Sequence, residues 1–301
     1  MSFSNSIALA KQYTPILDAV YKRESLSSVL DNANGIRFKG GNKVEVYKLS
    51  MNGAGTYSRN NGYVDGDATG TWEELTLEQD RGRRFLLDAM DQEESLAFTV
   101  GNATSVFQKE KQVPELDAYR FAKYATGAGL SGTAADITSS TDVAALIDAA
   151  VADMNDEEVP DGKICFISNT AFKQLKNNVT RYVENGEDNI KKTILMYDGM
   201  RIIPVPQKRF NTQITLLDGT TAGQEAGGYS ITAGGYKINF LIIHPSAVWQ
   251  VLKHQTLDLI PAAYNNNADG DLLKYRFYHD CGVFANKTKG VYLHRASTAN
   301  V

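Results

Sequence analysis

The chain has 301 residues, 43% hydrophobic and 22% charged, an ordinary globular balance that excludes a largely disordered or fibrous chain and suffices for one large or two interlocked domains. Its 31 basic and 35 acidic residues leave a net charge of -4, so no overall positive field holds it on a phosphate backbone and sequence-specific nucleic-acid binding is not expected.

Residues 1–35 read as an arm: Thr14 and Pro15 form a helix start, a short helix runs through Val20 and Tyr21, and Asp31 to Gly35 is a turn cluster. From Lys43 to Leu49, Val44 and Val46 alternate with Glu45 and Tyr47, the period of a half-buried strand, and 72–87 reads as its returning partner. Asn52 to Gly70 between them is glycine-rich and nearly devoid of aliphatic side chains. A tip of this kind cannot build its own core and predicts a long mobile hairpin over 36–87.

Leu96, Val100, Ala103 and Phe107 mark the apolar stripe of a long helix started by Asp88 or Asp91. Pro114 predicts a break, after which Ala118, Phe121, Ala122 and Ala125 resume helical spacing up to a flexible run from Thr126 to Gly132. Two subdomains are expected to meet there, with 88–135 holding the long helix and the first part of a peripheral region. A compact mixed α/β region over 136–260 opens with Thr141 as cap and Val143, Leu146, Ile147, Ala150, Val151 and Met154 on one helix face. Lys163–Ser168 reads as a buried strand, Asn169 or Thr170 as the next helix start, and Ile194–Tyr197 as paired with Met200–Val205 across Asp198-Gly199. A glycine-rich hairpin (Asp218–Gly235), a strand at Ile238–Ile243, and returning strands at Lys274–His279 and Val291–His294 within 261–301 complete an α+β chain.

Catalytic signatures fail their context. Gly127-Ala-Gly129-Leu-Ser-Gly132 matches a dinucleotide fingerprint as text but follows a helix, not a strand. Asp65 to Gly70 and Asn265 to Gly270 resemble calcium loops, yet Thr76 and Arg276 stand where a bidentate Glu belongs. His244, His254, His279 and His294 have no metal or hydrolase spacing, and Cys165 and Cys281 form neither a Cys-x-x-Cys pair nor a disulfide framework. No catalytic residue, cofactor or metal is therefore expected. The first residues carry no basic-then-apolar leader and no stretch approaches the roughly 18 apolar residues of a membrane span, so a product soluble in a reducing cytoplasm, with no membrane partner, is expected.

Assembly is the physical expectation. Ordering the arm and loop tip costs about 1–2 kcal/mol per residue, which neither segment can recover from its own burial, so neighbouring chains must supply the contacts. Acidic Glu73, Glu74, Glu78 and Asp80 stand beside Arg81, Arg83 and Arg84, either as a solvated strand face or as ion-pairing partners for a neighbouring subunit. The interface candidates are Tyr57, Arg59, Tyr63, Trp72, Glu73, Glu74, Arg81, Arg83 and Arg84.

This succession resembles the Hong Kong 97-type major capsid proteins of tailed phages. Leu77 to Asp91 (LEQDRGRRFLLDAMD) looks like the family's passage from E-loop into spine helix, Val113 to Tyr119 (VPELDAY) like the spine helix's continuation, and Ile164 to Phe172 and Tyr197 to Val205 like steps of its axial domain. The resemblance implies an N-terminal arm, an E-loop hairpin, a spine helix with peripheral domain, and a compact axial domain. It implies a structural protein of the virion capsid, assembled in the host bacterial cytoplasm from pentamers and hexamers into an icosahedral shell around double-stranded DNA. The implied partners are further copies of the chain, a portal, and a decoration protein in some shells. Because the sequence starts directly with the arm, the resemblance implies a separate scaffolding protein or self-assembly without one. No lysine lies between Lys48 and Lys109, so the isopeptide cross-link that some members form from an E-loop lysine is not expected. An encapsulin, a cellular shell around a cargo enzyme, is the alternative within the same architecture.

Overall fold

The computed structural model describes residues 25–30, 36–40, 42–60, 62–88, 106–178, 196–265 and 268–300. The predicted N-terminal helix and its turn cluster, and the stripe from Leu96 to Ala103, lie outside the described residues.

Among the described residues the largest sheet has six strands in the order β5 (Leu130–Ser131), β14 (Val291–Ala299), β11 (Tyr236–Ile243), β6 (Ile164–Ser168), β8 (Met200–Val205) and β7 (Met196–Tyr197). Its β5–β14 and β6–β8 pairings are parallel and the others antiparallel. Alternate side chains of each central strand point to opposite faces, and both faces are covered. Phe166, Leu241 and Ile243 pack with Phe121 and Tyr124 of α1 (Val113–Thr126). Cys165, Ile167, Phe240 and Ile242 pack with Ile147, Ala150 and Met154 of α2 (Val143–Asp156) and Leu175 of α3 (Asn169–Asn178). Burial on both sides is why these strands read as unbroken apolar runs instead of alternating ones. Each fully buried Phe or Ile contributes about 1.5–3 kcal/mol.

A second sheet runs β12 (Val248–Ile260), β13 (Gly270–Val283), β4 (Gln79–Asp88), all antiparallel. A third is β1 (Ile36–Gly40), β2 (Lys43–Met51), β3 (Ala68–Thr76), and β9 (Ile214–Leu217) with β10 (Gly228–Ile231) forms a separate hairpin.

Several expectations are corrected. The run 72–87 is two strands: Ala68–Thr76 returns along β2, while Gln79–Asp88 pairs with β13. The switch occurs at Leu77-Glu78, where no glycine or proline marks it. Pro114 does not break the helix. A π-turn over Gln108–Gln112, with the Val113 N–H donating to the Gln108 carbonyl, widens the preceding coil and the helix continues through Pro114 in its first turn, so the ring needs no clash with the carbonyl four residues back. The cap of α2 is Asp142, whose carboxylate accepts from the Ala145 N–H at 3.2 Å. Thr141 instead accepts from the Thr138 N–H. The β7–β8 hairpin turns on Asp198 and Gly199, both at positive φ (47° and 71°), the pair a type I′ turn requires. The Thr126–Gly132 run contains β5, added parallel to β14.

Candidate assembly surface

The β2–β3 hairpin carries apolar residues on both faces. At its base Val44 and Leu77 are buried against Trp249 and Val251 of β12, and the Tyr278 hydroxyl donates to the Leu77 carbonyl at 3.0 Å. Further out, Tyr47, Leu49 and Met51 share one face of β2, and Trp72 stands opposite Tyr47 on β3 with ring centroids 5.1 Å apart. These side chains are exposed, Leu49 at 60% and Met51 at 69%. Gly70, opposite Leu49, leaves the space in which the Tyr47 ring lies; a Cβ there would meet the phenol. At the tip Tyr57 packs edge-on against Tyr63, centroids 5.0 Å apart, and Tyr63 is 88% exposed. Arg59 sits exposed between them in sequence.

The charged candidates part company. Glu73 pairs with Lys48 at 2.6 Å and Glu74 with Lys43 at 2.7 Å, within the hairpin. Asp80 takes both bonds from Arg276, at 2.6 and 3.0 Å, and Glu78 lies 3.7 Å from Lys123. The acids thus meet bases from other strands and from α1. Arg81 donates to Glu115 at 2.7 Å and to the Leu217 and Gly228 carbonyls, joining β4 to α1 and to the β9–β10 hairpin. Arg83 donates to the Ala226 and Glu225 carbonyls and holds the tip of that hairpin. Arg84 stands opposite Lys274.

The residues that aim the hairpin and the N-terminal segment are ones the sequence did not single out. Asp117, wholly buried on α1, accepts from the Ser25 and Ser27 hydroxyls (both 2.7 Å), from the Leu26 and Ser27 N–H groups, and from Arg209 at 3.0 Å. A carboxylate next to the apolar positions Ala118, Phe121, Ala122 and Ala125 was the available signal. Five donors supply what a buried charge needs. Asp280 on β13 accepts from the Tyr119 hydroxyl at 2.8 Å and from the Glu78 N–H at 2.9 Å, where the hairpin joins β4. Burial above all, then the Asp280 charge, pushes the Tyr119 phenol well above its usual range, so it is a permanent donor. Burial first, with the Arg120 and Arg81 charges added, holds His279 neutral, its pKa pushed down to about 3.

The glycines of the dinucleotide-like run serve packing. A Cβ at Gly129 would lie 2.6 Å from the Thr288 carbonyl carbon and one at Gly132 2.7 Å from the Tyr292 hydroxyl, and their N–H groups donate to Thr288 and Leu293 carbonyls. Those donors are spent on the sheet edge and cannot cradle a phosphate. Among the described residues, no group of three or more His, Cys, Asp and Glu could hold a metal ion, and no helix is long and apolar enough to cross a membrane.

No protein-family model and no curated protein matches the sequence. Solved structures do. The "Capsid structure of the Cyanophage P-SCSP1u" superposes with a TM-score of 0.68 over 99% of this chain and 93% of that one at 13% identity. The "Asymmetric unit of bacteriophage PhiM1 mature capsid" gives 0.64 over 99% and 92%, also at 13% identity, and a structure from Mycobacterium phage Che8 gives 0.58 over 97% and 98% at 16% identity. Over nearly its whole length, this chain has the fold of phage capsid proteins.

Proposed function

We propose that the chain is a major capsid protein of a tailed phage, built on the Hong Kong 97-type fold and assembling with copies of itself, as pentamers and hexamers, into the icosahedral shell of the virion. The carrying observation is the end-to-end match, in both directions, to phage capsid structures. In this reading β2–β3 is the E-loop, α1 the described part of the spine helix, the six-stranded sheet with α2 and α3 the axial domain, and the β12–β13–β4 sheet the peripheral domain. The exposed aromatic and aliphatic face of β2–β3 supports a role between subunits, since a patch of that kind on a monomer marks an interaction site. Tyr57, Arg59, Tyr63, Trp72 and Arg84 remain interface residues in this reading, with Tyr47, Leu49 and Met51 added, while Glu73 and Glu74 pair with Lys48 and Lys43 of the same hairpin. Arg81 and Arg83 act inside the subunit.

The role is structural and not enzymatic, which the glycine packing at Gly127–Gly132 supports. The mildly negative chain, net charge -4, suits a wall around double-stranded DNA, since a basic lining would hold each phosphate by counterion release. Such a shell, assembled in the host cytoplasm, implies a portal, either a separate scaffolding protein or self-assembly without one, and in some shells a decoration protein. An encapsulin shares the architecture, but the matched structures are phage capsids, which favours the viral shell. Negative-stain electron microscopy after size-exclusion chromatography tests the reading: closed particles or rings of five and six are expected. A chain that stays monomeric at high concentration, even with neighbouring genes co-expressed, would overturn it.

A further inference from the structure

The segment 25–30 and the junction of the hairpin with β4 hang on neighbouring residues of one helix. Asp117 holds the former through four donors from Ser25, Leu26 and Ser27. Tyr119, two residues on, holds the latter through Asp280, which binds the Glu78 N–H. Arg120 stands between the two: it donates to the Ser27 hydroxyl at 3.1 Å, and its charge is felt at His279 and Cys281, on either side of Asp280. Gln250 of β12 closes the cluster by donating to the Ser27 carbonyl, while Trp249 beside it packs on the base of the hairpin with Val44 and Leu77.

We propose that Asp117, Tyr119 and Arg120 are a coupling element that makes the root of the N-terminal segment and the base of the β2–β3 hairpin one mechanical unit, so that freeing either loosens the other. The two attachments are rooted within four residues of α1 and on the adjacent residues Trp249 and Gln250 of β12, and a buried hydrogen-bond network loses more than one pairwise bond when a member is removed. Coupling between two sites is also reciprocal in free energy. In a shell subunit this would make displacement of the N-terminal segment felt at the hairpin through α1, but the inference concerns the single chain and does not rest on the shell reading.

Hydrogen exchange followed by mass spectrometry on the full-length chain tests it. Tyr119→Phe removes one hydroxyl at the hairpin end; the double variant Ser25→Ala, Ser27→Ala removes two at the other. Each is expected to speed exchange in peptides covering 77–80 and in peptides covering 25–30, on the order of tenfold, the change that about 1.4 kcal/mol of local stability produces. Should the double variant not fold, the single Ser25→Ala, at the part-exposed edge of the cluster, takes its place. Faster exchange confined to the end that was mutated overturns the coupling. So does equal acceleration everywhere, α2 included, which is general loss of stability.

Discussion

His279 shows what burial does to a single side chain. It lies on β13, 5% exposed, its ring 4.4 Å from that of Phe277 and edge-on to Tyr119. With its pKa pushed down to about 3, against about 6.5 in an unfolded chain, the unfolded state binds a proton that the fold refuses throughout that window. Stability contributed by neutral His279 is therefore complete above pH 6.5 and declines as pH falls towards 3, by about 1.4 kcal/mol per pH unit for one proton. Urea unfolding at pH 7 and pH 5 should show a smaller pH-dependent loss in His279→Gln than in the parent; an identical loss would mean the site is wetter than its burial indicates. Gly129 makes the steric counterpart. A Cβ there would sit 2.6 Å from backbone that the sheet edge holds in place, so Gly129→Ala should cost about 1–3 kcal/mol and lower the thermal midpoint. A glycine kept for a ligand would leave the midpoint unchanged.

Among the elements, legibility tracked how local the determining contacts are. Strand β6 and helix α2 declare themselves through burial of neighbouring residues, and the β7–β8 turn through Asp198-Gly199. The strand switch at Leu77-Glu78 is set by pairing of β4 with Gly270–Val283, some two hundred residues away, and nothing local marks it. β12 is set by distant contacts as well: Val248–Ile260 is assigned by its pairing with β13 and by Trp249 and Val251 under the hairpin. The partner of Asp80 is set at the same range: it finds Arg276, on a strand far along the chain. The hairpin's exposed face was half visible, because Tyr47, Leu49 and Met51 alternate on the side opposite Val44 and Val46, a strand apolar on both faces. That face yields a prediction at this scale. Leu49→Ser with Met51→Ser removes exposed side chains and should leave the unfolding free energy of the unassembled chain within about 0.5 kcal/mol. If the face is buried between subunits, the same pair should raise the concentration needed for assembly at least about tenfold, since each large apolar side chain contributes about 1.5–3 kcal/mol on burial. Sedimentation across a dilution series measures both species; unaltered assembly would remove the face from the interface.

For the whole molecule, if the chain forms the proposed shell, the intramolecular pairing of charges decides how assembly should answer to salt. Had Glu73, Glu74 and Asp80 been reserved for a neighbour's arginines, raising ionic strength would weaken the shell, because the Debye length shrinks from about 10 Å at 0.1 M to about 3 Å at 1 M. Instead Lys48, Lys43 and Arg276 of the same chain satisfy them, and Arg81 and Arg83 are spent on Glu115 and on the carbonyls of the β9–β10 hairpin. Outward the hairpin offers Tyr47, Leu49, Met51, Tyr63 and Trp72 beside the charge of Arg59 at its tip, and apolar burial does not depend on screening. It is strengthened by salts excluded from the protein surface. Static light scattering at fixed protein concentration should therefore show assembly that is undiminished between 0.1 and 1 M sodium chloride and promoted by ammonium sulfate. Dissolution of the particles by sodium chloride alone would return the interface to ion pairs between subunits and would assign the hairpin's apolar face to some other contact.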